Sequence, residues 1–344
     1  MPVNTEADSD RTALDLLLKG FQISRMLRLA ADLGIADRIL PDGHMSVDTL
    51  AADCEVHPTQ LARVLRALAA FEIFLVSAEG TVAHTPRSRL LRTDAPGSLH
   101  HAARFWTSPG SWKAWGELDA ALAGRVPHEA AWGMSRFAYL RAHLDEARIY
   151  DAMMAAFPDD RHAAIAAAYD FSSARLVCDV GGGDGTTLRH ILTSLPELRG
   201  LVFDQKDVVS AIPADGLMNG RIAIAEGNFF DSVPGGADIY MLVRVLHNWS
   251  DEDCLRILRA CRLAMGPESR LLLGEELLEP DPSCGHPSAY LIDMQMMAMF
   301  GGARARTEDE FSALLASSGL TLQRVVATAS SVSIIEAGLE AAAA

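Results

Sequence analysis

Leu176-Val177-Cys178-Asp179-Val180-Gly181-Gly182-Gly183-Asp184-Gly185-Thr186-Thr187 is the stretch on which the fold turns. An apolar run containing two valines stops at a glycine cluster, and Leu188, Ile191, Leu192 and Leu195 then recur at helical spacing. The pattern predicts strand, tight turn, helix. Glycines at 181, 183 and 185 carry no Cβ, so the main chain there can take unusual dihedral angles and let a ligand approach closely. A dinucleotide fingerprint would put its third glycine at 186, where this chain has Thr186. The spacing therefore points to a nucleoside-type ligand without a pyrophosphate, with a ligand-free glycine turn as the alternative that the rest of the chain must decide.

With 344 residues, two domains are expected, and 49% hydrophobic residues provide ample core. Thirty basic residues against forty-five acidic ones give a formal charge of −15, which argues against a nucleic-acid partner. The five cysteines (Cys54, Cys178, Cys254, Cys261, Cys284) are widely spaced and form no zinc-ligand pattern, so reduced thiols in a cytoplasmic protein are expected. No basic start with an apolar stretch marks a signal peptide, and no apolar run approaches the ~18 residues of a membrane span.

Outward from the glycine loop toward the N-terminus, Leu14, Leu17, Leu18 and Phe21, then Met26, Leu29 and Leu33, predict about two helices before Leu40. So many apolar positions near a chain end suggest a surface shared by two copies, with packing inside one chain as the alternative. Short helices beginning at Ser46 and Pro58, followed by Phe74-Leu75-Val76 and Thr81-Val82-Ala83 around Glu79-Gly80, give the layout of a winged helix. Its second helix carries only Arg63 and Arg66 as fixed charges, which favours a structural role over DNA binding. From Ser98 to Phe157 an aromatic-rich helical region follows, from which Trp106, Met153 and Phe157 are candidates to face a substrate. Expected boundaries are 1–97, 98–165 and 166–344.

Beyond Arg175 strands alternate with helices. Strands are expected at 200–203, 222–225, 237–243, 270–275, 322–328 and 331–335, with helices at 251–265, 288–300 and 307–318. The class is α/β, a mainly parallel sheet with helices on both faces, in which ligands sit at the carboxyl ends of the strands. Asp204, followed by Gln205, ends the second strand, where a carboxylate can accept hydrogen bonds from ribose hydroxyls. Asn228 and Phe229 follow the third, an amide and a ring suited to adenine. His247 falls between a strand and a helix whose start is marked by Ser250 and Asp253, so its imidazole can be held in one orientation. Asn248 lies beside it, and Met294 and Met297 on a later helix are further candidates to face substrate.

Asp179 to Gly185, Phe203-Asp204, Gly227-Asn228-Phe229-Phe230, Arg244-Val245-Leu246-His247-Asn248-Trp249-Ser250-Asp251-Glu252 and Gly301-Gly302-Ala303-Arg304-Ala305-Arg306-Thr307 together resemble the S-adenosylmethionine-dependent O-methyltransferases of the caffeic acid type, whose bacterial relatives act on aromatic polyketides and antibiotics. The resemblance covers nearly the whole chain. It implies a Rossmann-like methyltransferase domain with a seven-stranded sheet and an N-terminal winged-helix dimerisation domain, hence a homodimer. Gly181, Gly183, Asp204, Gln205, Asn228, Phe229 and Arg244 would contact the cofactor, His247 would be the general base and Glu275 its orienting acid. No metal is implied. Two positions depart from the family: Asn228 stands where aspartate is common, and Ala305 where a second glutamate often flanks the base.

The reaction implied is in-line attack of an acceptor oxygen on a methyl group, releasing S-adenosylhomocysteine. A phenol with a pKa of ~10 costs about 4 kcal/mol to ionise at pH 7, so a base that takes the proton during transfer is worth ~10²–10⁴-fold. Ala305 leaves open a cofactor-retaining relative that hydroxylates, decarboxylates or cyclises; an acidic winged-helix regulator is a third reading. The acceptor would be a small aromatic, free or carrier-bound, with neither nucleic acid nor membrane as partner.

Overall fold

The computed structural model describes residues 5–156 and 160–339. The chain forms two compact units: one runs to Glu117 and takes in the segment from His128 to Pro158, and the other joins Leu118–Pro127 to everything from Asp159 onward.

The first unit begins with helices Thr5–Leu18, Gly20–Asp32 and Ile35–Arg38. Three helices thus stand where two were expected, because the chain turns at Gly34 and re-enters a short helix. Strand β1 (His44–Ser46) is followed by helices Val47–Asp53 and Pro58–Ala69 and by the hairpin β2 (Phe74–Val76) and β3 (Thr81–His84). The three strands pair antiparallel in the order β1-β3-β2. Ser46 caps its helix by accepting from the Thr49 N–H at 3.0 Å, and Pro58 opens the next helix, where a missing N–H goes unnoticed. Leu61, Leu65 and Leu68 then face one core with Ile35, Leu50, Phe74 and Val82. Leu17, Leu18 and Phe21 remain exposed, an apolar strip of the kind that association covers.

The aromatic helical region builds a second interior around a buried ion pair. Glu146 accepts from Arg136 Nη1 (2.9 Å), Ser108 Oγ (2.6 Å), Gly110 N (3.1 Å) and Tyr139 OH (3.2 Å), which satisfies both carboxylate oxygens away from water. Phe105 and Tyr139, both almost fully buried, pack on the Arg136 guanidinium. Much of the aromatic density read from the sequence serves this interior.

The second unit is a seven-stranded sheet of β4 (Leu176–Val180), β5 (Arg199–Asp204), β6 (Ile222–Glu226), β7 (Ile239–Val243), β8 (Arg270–Glu275), β9 (Leu320–Ala327) and β10 (Ser333–Leu339), in the order β6-β5-β4-β7-β8-β10-β9. β4 to β8 are parallel, and β10 runs antiparallel between β8 and β9. Strands β4, β7 and β8 are buried along almost their whole length, as expected of a sheet covered on both faces. The chain proceeds outward from β4 in one direction and returns to lay down β7 on its other side, so the carboxyl ends of β4 and β7 flank the crevice where such sheets take ligands. Among the described residues no helix is long and apolar enough to cross a membrane.

Candidate active site

The glycine loop leaves β4 as the sequence predicts and turns into the helix Thr186–Thr193. Gly181 and Gly183 have φ of +72° and +58°, a region that disfavours any side chain. At Gly181 a Cβ would press on Val245 Cγ2 at 3.0 Å and touch Phe229 Cε1 at 3.6 Å, which places the end of β7 and the loop after β6 beside the glycines. At Gly183 a Cβ would meet nothing within 4 Å, so the loop there faces open space.

Asp204 turns its carboxylate to this loop: Oδ2 accepts from the Gly183 N–H at 3.0 Å and Oδ1 from the Gln205 N–H at 2.7 Å. A carboxylate accepts at about four positions, so each oxygen keeps a lone pair for a further donor. A hollow of about 420 Å³ lies alongside, lined by Gln205, Lys206, Asp207, Glu226, Gly227 and Asn228. Asn228 is put to local use, its amide oxygen accepting from the Phe230 N–H and its amide nitrogen donating to Asp231 Oδ2, both at 3.1 Å. Phe229 meets Phe230 and Trp249 edge-on.

Beneath the loop, Asp179 is 1% exposed, and neither of its carboxylate oxygens has a hydrogen-bond partner among the described residues. Burial, with smaller contributions from the Asp204 and Asp184 charges, pushes it up to about 7. Below pH ~4 the group is neutral in both folded and unfolded chains; as pH rises to ~7 the unfolded chain ionises first, so stability is lost over that window and is level above it. Asp179→Asn removes this titration. Its melting temperature should gain on the wild type between pH ~4 and ~7 and keep a constant lead above; parallel melting profiles for the two proteins would show that the carboxyl is not held neutral.

After β7 the chain turns sharply. Arg244 adopts φ +56°, held by its N–H on the Gly274 carbonyl (2.8 Å) and by Asn248 Nδ2 on its own carbonyl (3.2 Å). His247 follows in a single turn, Leu246–Asn248, before Ser250 caps the helix Asp251–Ala264 by accepting from the Asp253 N–H. Asp253 Oδ2 in turn accepts from the Ser250 hydroxyl at 3.0 Å.

Glu275, 1% exposed at the end of β8, grips this turn. Its Oε1 accepts from the Leu246 N–H at 2.7 Å and the His247 N–H at 3.4 Å, while Oε2 lies 3.0 Å from His247 Nδ1. A carboxylate can only accept, so Nδ1 carries the proton and Nε2 is left as the basic nitrogen. The His247 side chain is 16% exposed and lines a small hollow with Arg244 and Glu276, whose charged groups stand 3.5 Å apart. Leu278, Ala289, Ile292, Met296 and Ala305 form the apolar remainder.

Several expected positions fall elsewhere. Arg244 shares a hollow with His247 rather than with the Gln205 to Asn228 rim. Met294 and Met297 are half-buried on the helix Pro287–Phe300, and the methionine of that helix that reaches the His247 hollow is Met296, which periodicity alone did not single out. Asn248 is exposed and spends its amide on the turn. Met153 is 3% exposed, in a cluster with Ala102 and Phe105 against which Trp106 packs, and Phe157 lies outside the described residues. All five cysteines are unpaired, and burial pushes the Cys254 and Cys261 thiols up to about 12, which removes them as nucleophiles.

Residues 115–321 match the model of an O-methyltransferase domain, and residues 16–94 that of an O-methyltransferase dimerisation domain. A phenazine O-methyltransferase of Lysobacter antibioticus is 36% identical over 327 residues, 93% of this chain and 94% of that protein. An aclacinomycin 10-hydroxylase of Streptomyces purpurascens is 33% identical over 331 residues, 90% of this chain and 85% of that protein. Among solved structures, a mitomycin 7-O-methyltransferase superposes with a TM-score of 0.82 at 31% identity, covering 97% of this chain and 99% of that one.

Proposed function

Because the chain belongs to the O-methyltransferase family, we propose that it moves the methyl group of S-adenosylmethionine to a phenolic hydroxyl of an aromatic natural product, with His247 as general base and no metal. The observation that carries this reading is the Glu275–His247 pair, 3.0 Å apart, with buried Glu275 behind an imidazole that lines a partly apolar hollow at the carboxyl edge of the sheet. When bound, S-adenosylmethionine supplies a methyl group on a positively charged sulfur.

This chain's residues suit that cofactor. The open space over Gly183 and the close main chain at Gly181 allow a ligand onto the loop, and Asp204 keeps lone pairs for two ribose hydroxyls. The polar hollow lined by Gln205 and Asn228 fits the nucleoside, with Phe229 beside Gly181 to face the base. Arg244 lies with His247, which supports a role toward the acceptor. On the acceptor side His247 Nε2 takes the phenol proton as transfer proceeds, while Leu278, Ile292 and Met296 offer a flexible apolar wall to a flat ring. Its dimerisation segment makes the working form a homodimer, and we place it in the cytoplasm.

The test is incubation with S-adenosylmethionine and a panel of aromatic acids, phenazines and anthracycline-like phenols, free and carrier-bound. Mass spectrometry should find an acceptor gaining one methyl group, with S-adenosylhomocysteine formed in equal amount. A product made without S-adenosylhomocysteine would overturn methyl transfer in favour of hydroxylation or related chemistry, the reading that Ala305 and the hydroxylase relative favour.

A further inference from the structure

Arg306 is fully buried, which is unusual for a guanidinium with no place in the reaction. Its Nε and Nη2 both donate to Asp251 Oδ1, at 2.9 and 2.7 Å. Nη2 also donates to the Trp249 carbonyl (2.9 Å), and Nη1 donates to the carbonyls of Leu246 (3.1 Å) and Arg304 (3.3 Å). The Leu246 and Trp249 carbonyls bracket His247, and the intervening His247 carbonyl accepts from the Arg304 N–H at 3.0 Å. The segment around Arg306 is itself anchored: its carbonyl accepts from the Leu278 N–H at 3.0 Å, just past Glu275, and the Ala305 N–H donates to Asp293 Oδ1 at 2.8 Å on the helix that supplies Ile292 and Met296.

The turn carrying His247 is therefore held from two sides. Glu275 takes its N–H groups and Arg306 takes its carbonyls. A rigid fork of donors fits three diverging carbonyls and a carboxylate; an ammonium on a flexible stem does not. We propose that Arg306 is a positioning residue that fixes the His247 imidazole for proton transfer through the carbonyls of its turn, a role that rests on His247 being the general base.

The experiment is a double-mutant cycle of Arg306→Lys and His247→Ala, read as kcat and as KM for S-adenosylmethionine. Arg306→Lys alone should lower kcat about tenfold or more and leave that KM within about twofold. In the His247→Ala background it should lower the residual rate no further, because the group it positions is gone. Equal loss in both backgrounds means Arg306 acts on the fold at large, and no loss in either means it positions nothing; both outcomes overturn the inference. If His247→Ala by itself leaves kcat intact, the base assignment has failed instead, so the two failures are distinguishable. Should Arg306→Lys not fold, Asp251→Asn enters the same cycle, since Asp251 is half-exposed and its loss frees the fork on one side only.

Discussion

His247→Ala loses turnover by ~10²–10⁴-fold while S-adenosylmethionine binds with near wild-type affinity. Apart from Arg244, the cofactor's expected contacts lie on the glycine loop, Asp204 and the loop and hollow beside it, and His247 lines another hollow with Arg244 and Glu276. Removing the imidazole therefore deletes a group needed only as the acceptor proton departs, and such a deletion lowers kcat and kcat/KM together. Calorimetry with the cofactor alone and single-turnover methylation separate the two quantities. Wild-type turnover in the variant at all pH values would refute the assignment, and lost cofactor binding would relocate His247 to the cofactor side.

Glu275→Gln should be nearly as damaging, for a reason that lies in hydrogen-bond count. Three N–H groups converge on the two Glu275 oxygens: Leu246 and His247 main chain on Oε1, and the ring Nδ1 on Oε2. Glutamine has one oxygen to offer them. If that oxygen stays with the main chain, the amide NH₂ faces Nδ1, drives the ring proton to Nε2 and leaves no base. The equivalent exchange behind a serine-protease histidine lowers kcat about 10⁴-fold by this tautomer trap. If the amide flips, the buried Leu246 N–H and the part-buried His247 N–H are opposed by a donor, at about 1–3 kcal/mol of stability. A kcat loss of ~10²–10⁴-fold is expected with cofactor binding retained, and thermal melting tells which arrangement the amide takes. A variant with unchanged kcat would show that the ring does not depend on Glu275 for its tautomer.

Local pattern made much of this molecule legible. The apolar run into Gly181, the period-3.6 residues after it and the alternation that follows are short-range features, and β4, the helix Thr186–Thr193 and the parallel strands β5 to β8 stand within a residue or two of where they were expected. The hairpin at Glu79-Gly80 was legible for the same reason: a turn is coded by residues a few positions apart. His247 was legible because a strand end and a helix cap enclose it within a few residues.

What the chain pattern left undecided concerns groups far apart in sequence. Glu275 ends β8 and Glu276 follows it; the resemblance named Glu275, and the pairing of β7 with β8 is what turns Glu275 onto the His247 turn and leaves Glu276 beside Arg244. Successive residues of a strand face opposite ways, so a single-residue register decides which carboxylate serves. Likewise β10 could be read as a strand, but its antiparallel place between β8 and β9 is a matter of long-range pairing. Met296 reaches the His247 hollow because its helix is docked beside the His247 turn, and Arg306 finds Asp251 and the carbonyls around His247 because the segment after that helix, held to it by the Ala305 N–H on Asp293, lies along the same turn. Short-range pattern along the chain was enough to bring a strand, a glycine loop and a histidine turn to one edge of a sheet; packing settled which side chains hold that histidine, because hydrogen bonds between distant segments leave no periodic trace along the chain.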